Sequence, residues 1–87
     1  MTKRETISNP EFKKDLVRKM RNITPTCRVE FGEDQPSHLN FRLIDDMGRY
    51  RSNLVSIYRS PENLEKAKLV AAIRGAGIPN GGLPISF

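Results

Sequence analysis

Phe12, Leu16, Met20 and Ile23 recur every three or four residues, with Val17 beside them, so the chain opens with the apolar stripe of an amphipathic helix. Asn9 suits the N-cap, and Pro10 suits the first helical position, where its missing N–H costs nothing. Thr24-Pro25 ends the helix, because a residue before proline avoids the α region. On a helical wheel Lys14, Arg18 and Arg21 fall opposite the stripe, with Lys13 and Lys19 at its edges. The helix has a basic back.

From Thr26 the period changes to two. Cys27, Val29 and Phe31 alternate with Arg28 and Glu30, then Leu39, Phe41 and Leu43 alternate with Asn40, Arg42 and Ile44. Two half-buried strands follow from this pattern. GEDQPS between them is a loop rich in turn formers, and Asp45-Asp46-Met47-Gly48 is a tight-turn signature in which Gly48 supplies a positive φ. Residues 49–58 predict a third strand of mixed phase. Val55 and Ile57 point one way and Leu54 and Tyr58 the other, as in a strand covered on both faces or bulged.

A closing helix is expected from Ser60 as N-cap, Pro61 at the first position and Glu62 against the positive helix terminus. Leu64, Ala67 and Ala71 share one face, and Leu69, Val70 and Ile73 spread apolarity around the other half. The alanines suit close packing on a sheet, and Gly75 and Gly77 are C-terminal stops. The order α-β-β-β-α predicts an α+β fold, a three-stranded antiparallel sheet with both helices packed on one face. Residues 1–8 are expected to be a flexible N-terminus, 9–77 a single domain and 78–87 a Pro/Gly-rich tail. Ile78, Leu83, Ile85 and Phe87 either tack that tail to the body or offer LPISF to a partner's groove or sheet edge.

Eighty-seven residues suffice for one core. No apolar run approaches the roughly 18 residues of a membrane span, and MTKRETISNPEF lacks the apolar stretch of a secretory signal. One cysteine, Cys27, forbids an internal disulfide and fits a reducing compartment. The expected location is cytoplasmic, or nuclear in a eukaryote. The formal charge of +5 favours acidic partners. It is uneven: Lys3, Arg4, Lys13, Lys14, Arg18, Lys19 and Arg21 face only Glu5, Glu11 and Asp15 in residues 1–21.

Two short patches carry a resemblance to the double-stranded-RNA-binding domain family. Gln35-Pro36-Ser37-His38 resembles that family's Gly-Pro-x-His loop, and Ala67-Lys68-Leu69-Val70-Ala71-Ala72 resembles the alanine-lysine-x-x-alanine-alanine core of its last helix. The resemblance covers about residues 10–76 and implies an α-β-β-β-α fold and RNA as partner. The family's lysine pair at the start of the last helix falls here on Leu64 and Glu65, with Lys66 out of register, which impairs a phosphate clamp. Gln35 replaces the loop glycine, and Phe41 sits one residue nearer the histidine than the family's aromatic. The order of strands followed by Ser60-Pro61-Glu62 and a helix is also similar to the arm-binding domains of integrases, which read DNA with the sheet.

Lone His38 near Asp45 and Asp46 lacks metal-ligand spacing, Cys27 has nothing nearby to activate it, and no phosphate-binding glycine loop occurs. Neither an enzyme nor a cofactor is expected. The first expectation is a small nucleic-acid-binding module for RNA or DNA. Lys13, Lys14, Arg18, Lys19 and Arg21 of the first helix, Arg28, Arg42 and Arg51 of the sheet, and Lys66 and Lys68 of the last helix would provide its contacts. The alternative is a protein-interaction module, a small regulator or phage-type inhibitor of a host enzyme. It would use the basic surface against an acidic protein, or the hydrophobic tail.

Overall fold

A computed structural model describes residues 6–87. Helix α1 runs over Asn9–Ile23 and buries Phe12, Leu16, Met20 and Ile23, as their spacing requires. Ser8, rather than Asn9, takes the N-cap place, and its carbonyl accepts from the Phe12 N–H at 2.9 Å. Pro10 still lies in the first turn, where a backbone donor has no helical partner. Strands β1 (Cys27–Phe31), β2 (His38–Asp45) and β3 (Val55–Tyr58) form one antiparallel sheet in the order β1-β2-β3. Phe41 sits opposite Phe31 on one side and Val55 on the other.

The inward residues of β2 are Leu39, Phe41 and Leu43, all fully buried. Above them α1 packs over β1, and α2 (Lys66–Ala76) packs over β3, its Leu69 and Ile73 completing the core. Burial of each such large side chain stabilises the fold by about 1.5–3 kcal/mol. The order is α-β-β-β-α, and the fold is α+β. Among the described residues no helix is long and apolar enough to cross a membrane.

The closing segment differs from the sequence expectation. Ser60-Pro61 starts not an α-helix but a single 3-10 turn, Pro61–Leu64, and Glu65 is extended (φ −67°, ψ 142°) before α2 begins. In one continuous helix Leu64 and Leu69 would point about 140° apart, at roughly 100° per residue. The break resets the phase, so Leu64, Leu69 and Ile73 all reach the core. It also turns Ala67 and Ala71 to solvent. Ala72 and Ala76, not the expected alanines, lie against the core.

The third strand is shorter than residues 49–58. Tyr50 makes an isolated bridge to Ile44, and the chain then leaves the ladder until Val55. Over this gap the buried Ser52 hydroxyl takes the Leu43 N–H at 3.1 Å, replacing a strand-to-strand bond. Asn53 turns outward instead. Its side-chain amide donates to the Ala76 carbonyl and its backbone N–H to the Gly77 carbonyl, both at 3.0 Å, capping the C-terminus of α2. Gly77 has φ +86°, a conformation that L side chains rarely adopt.

Among the described residues two charges are buried, one at each end of β2. Arg59 follows β3 and has 6 % exposure. Its guanidinium donates to four backbone carbonyls: Ile7 (2.7 Å), Gln35 (2.6 Å), His38 (2.9 Å) and Pro36 (2.8 Å). Its own N–H and carbonyl bond Ser37 and Ile7. Ile7 also packs against the core and the Thr6 hydroxyl lies 3.1 Å from that of Tyr58; residues 1–5 of the expected flexible N-terminus lie outside the described residues.

At the opposite end Asp45 accepts from the backbone N–H groups of Met47 and Arg49, each at 2.9 Å, closing the turn in which Gly48 has φ +78°. Arg49 Nε reaches the same carboxylate at 3.2 Å and Arg51 at 3.6 Å. Arg51 then donates to the carbonyls of Leu83 (3.4 Å) and Pro84 (2.7 Å). The tail is thereby strapped down. Ile85 and Phe87 pack against the core, whereas Ile78 and Leu83 remain exposed.

Replacing Arg59 by Met leaves its carbonyl partners without a donor, and we expect a loss of about 3 kcal/mol or more in urea unfolding. Arg59→Lys should recover only part of it, because an ammonium cannot fork to both sides of the site. The Arg49 N–H holds the Asp45 carboxyl below its ordinary value of 3.8, with help from the Met47 N–H and the Arg49 charge and against the effect of burial. This stabilisation is complete above the ordinary value and is lost as pH falls through the lower, folded one. The urea midpoints of wild type and Asp45→Asn should therefore differ at neutral pH and converge once the carboxyl protonates below pH 3.8.

Candidate nucleic-acid interface

Helical periodicity places Lys14, Arg18 and Arg21 at i, i+4 and i+7, in one row spanning about 10 Å of helix axis. The structure sets this row beside the end of β1. Lys13, Lys14, Val17, Arg18, Arg21 and Phe31 line a shallow, open cleft of ≈ 440 Å³. Lys13 lies at its rim with Nζ 5.2 Å from the Phe31 ring centroid and 2.9 Å from Asp34. Arg18 approaches Asp15 at 3.4 Å. Among the described residues, Lys14, Lys19 and Arg21 take part in no ion pair.

The uncovered face of the sheet is electrostatically different. Arg28 stands opposite Ile44 and Glu30 opposite Arg42. Arg42 lies 5.0 Å from the Tyr50 ring centroid, and the Tyr50 hydroxyl donates to Glu30 at 2.8 Å. Arg42 thus lies over a ring on the strand facing Glu30, whose carboxylate is taken by Tyr50, while Arg28 is exposed at the edge strand. Arg51, expected on this face, has turned to Asp45 and the tail, and its side chain is only 16 % exposed. Its backbone N–H still donates to the Leu43 carbonyl at 2.7 Å, while its guanidinium is engaged by Asp45 and the tail carbonyls.

Lys66 and Lys68 are exposed on α2, which packs over β3, whereas α1 packs over β1. They do not join the cleft. Lys19 is exposed on α1 outside it. The Gln35-to-His38 loop is pinned from within: the four carbonyls of these residues all accept from Arg59. His38 begins β2, with its ring edge-on to Tyr58 at 5.5 Å. The start of α2 presents exposed Glu62 and Glu65 ahead of Lys66.

The sequence pattern marks the four cations and places Phe31 in the inward phase, where it does pack against the core, but it does not show that Phe31 also lines the cleft. The available signal was position: Phe31 is the last residue of an edge strand, followed by Gly32, so less of it can be covered. It is half-buried, while its cross-strand partner Phe41 is fully buried. Asp34 had no sequence signal, because its approach to Lys13 depends on the loop's return.

Comparison with protein-family models, with curated proteins and with solved structures gives no match, so the reading of this surface rests on its own geometry.

Proposed function

We propose that the protein is a small, non-enzymatic nucleic-acid-binding module that engages the phosphate backbone through the α1 cleft. The observation that carries this reading is the convergence of Lys13, Lys14, Arg18 and Arg21 on one open cleft, with two of the four in no ion pair among the described residues. Cations so placed neutralise phosphates and release condensed counterions, which gives salt-sensitive binding without sequence preference. Lys19, and Arg28 across the β1 edge, add to the attractive field at longer range.

The test is fluorescence anisotropy with labelled single- and double-stranded DNA and RNA over a salt series. Wild type should bind at about 150 mM salt, with affinity falling linearly on a log–log plot at a slope near −0.7 to −0.9 per phosphate neutralised. The double variant Lys14→Glu/Arg21→Glu should lose most of this binding and show a shallower slope, and Lys68→Glu should change far less. Undetectable wild-type binding, or an unaffected double variant, overturns the reading.

A second reading, a protein-interaction module, is favoured by one observation. Tyr50, bridged to half-buried Ile44, and Leu54, beside Gly32, are both exposed large side chains, and Arg42 lies over the Tyr50 ring. Under that reading, a partner is recovered equally with and without nuclease, and Leu54→Arg abolishes the recovery. Recovery lost to nuclease and kept by Leu54→Arg returns the assignment to nucleic acid.

A further inference from the structure

Building on the nucleic-acid reading, we infer that the α1 cleft takes a single-stranded polynucleotide, one base of which stacks on Phe31. Phe31 has the inward phase of β1, yet it closes an edge strand, and the sheet covers it less than its partner Phe41. Half-buried against the core, Phe31 lines the cleft together with Val17, and Lys13, Lys14, Arg18 and Arg21 line the same cleft, Lys13 with its ammonium 5.2 Å from the ring centroid. An aromatic side chain sharing a cleft with cations offers a polynucleotide both things it presents, a π-face and a phosphate chain.

The cation row selects the kind of strand. It follows one helix over about 10 Å, which suits a single backbone tracking past the ring. A duplex keeps its base faces inside the stack and offers α1 only phosphates. Phe31 therefore contributes nothing to duplex binding and favours a base that is already unstacked.

Lys13 and Asp34 act as the occupants a strand must rearrange. Lys13 Nζ lies near the ring while bonded to Asp34. When a base stacks, the ammonium leaves the ring and exchanges the exposed Asp34 carboxylate for a phosphate. Asp34 is a competitor of the ligand. Removing it in Asp34→Asn should tighten single-strand binding by about two- to five-fold, the range of an exposed ion pair.

The protein contains no tryptophan, so Phe31→Trp introduces a unique indole at the stacking position. The probes are oligo(dT), oligo(U) and a duplex of the same length, about 12 nucleotides, within the range that one small module covers. Saturable quenching of the indole by the single strands, but not by the duplex at equal phosphate concentration, is the expected result. Phe31→Leu keeps an apolar group at the site and removes the ring. It should lower single-strand affinity about five-fold or more and leave duplex affinity unchanged, with the thermal melt confirming the fold. If salt-sensitive binding persists but the indole is unquenched and Phe31→Leu affects both forms alike or neither, stacking is overturned and the phosphate-binding reading stands. If wild type binds no nucleic acid, both fall. A difference between oligo(dT) and oligo(U) decides which polynucleotide is preferred.

Discussion

A buried guanidinium, paired with no carboxylate among the described residues, holds this domain together. Arg59 gathers the carbonyls of Ile7, Gln35, Pro36 and His38, segments far apart in sequence. Carbonyl dipoles satisfy the planar fork, and burial strengthens each charge-assisted bond. The consequences reach the cleft. Through Ile7 the clamp fixes the residues leading into Ser8 and therefore the direction in which α1 starts. Through Gln35 and Pro36 it fixes the loop carrying Asp34, which meets Lys13 on α1. The rim of the cleft is a product of the clamp.

Asp45 plays the complementary part at the other end of β2, where its carboxylate gathers two N–H groups and two arginines. A domain this small buries too little apolar surface to order its loops by packing alone. Each end of its central strand instead uses one buried charge to organise the loops around it. Such charges also specify register. A slip of one residue in β2 or β3 would turn Asp45 or Arg59 to the outer face and leave their partners unsatisfied.

The same periodicity explains what could be read from the chain. Alternation located β1 and β2, and helical spacing located α1, because in both cases one face is buried and the other wet. Continued one step further, it also marks the two clamps. Asp45 follows Leu39, Phe41 and Leu43 in the inward phase, and Arg59 follows Val55 and Ile57. A charge at the inward position at the end of a strand or just past it is legible as a buried charge; its partners are not, since most are backbone groups brought back by loops. The closing helix was misread for a different reason. Ser-Pro-Glu is a good helix start for an α-helix or a 3-10 turn alike. Only the requirement that both Leu64 and Leu69 face the core decides for a break.

Net charge therefore says less about this molecule than the fate of each cation. Arg59 and Arg51 are structural, Arg49 joins the Asp45 turn, and Arg42 lies against Tyr50 and Glu30. Arg74 lies 5.4 Å from the Phe87 ring centroid, at the tail. Among the described residues, the exposed cations in no ion pair or ring contact are Lys14, Lys19 and Arg21 on α1, Arg28 on β1, and Lys66 and Lys68 on α2, so α1 holds the largest group on one element. The basic back of the first helix matters because the rest of the fold has taken most of the arginines for itself. Placing that helix beside the end of an edge strand, where a phenylalanine cannot be fully covered, is what turns a row of charges into a cleft with an apolar wall.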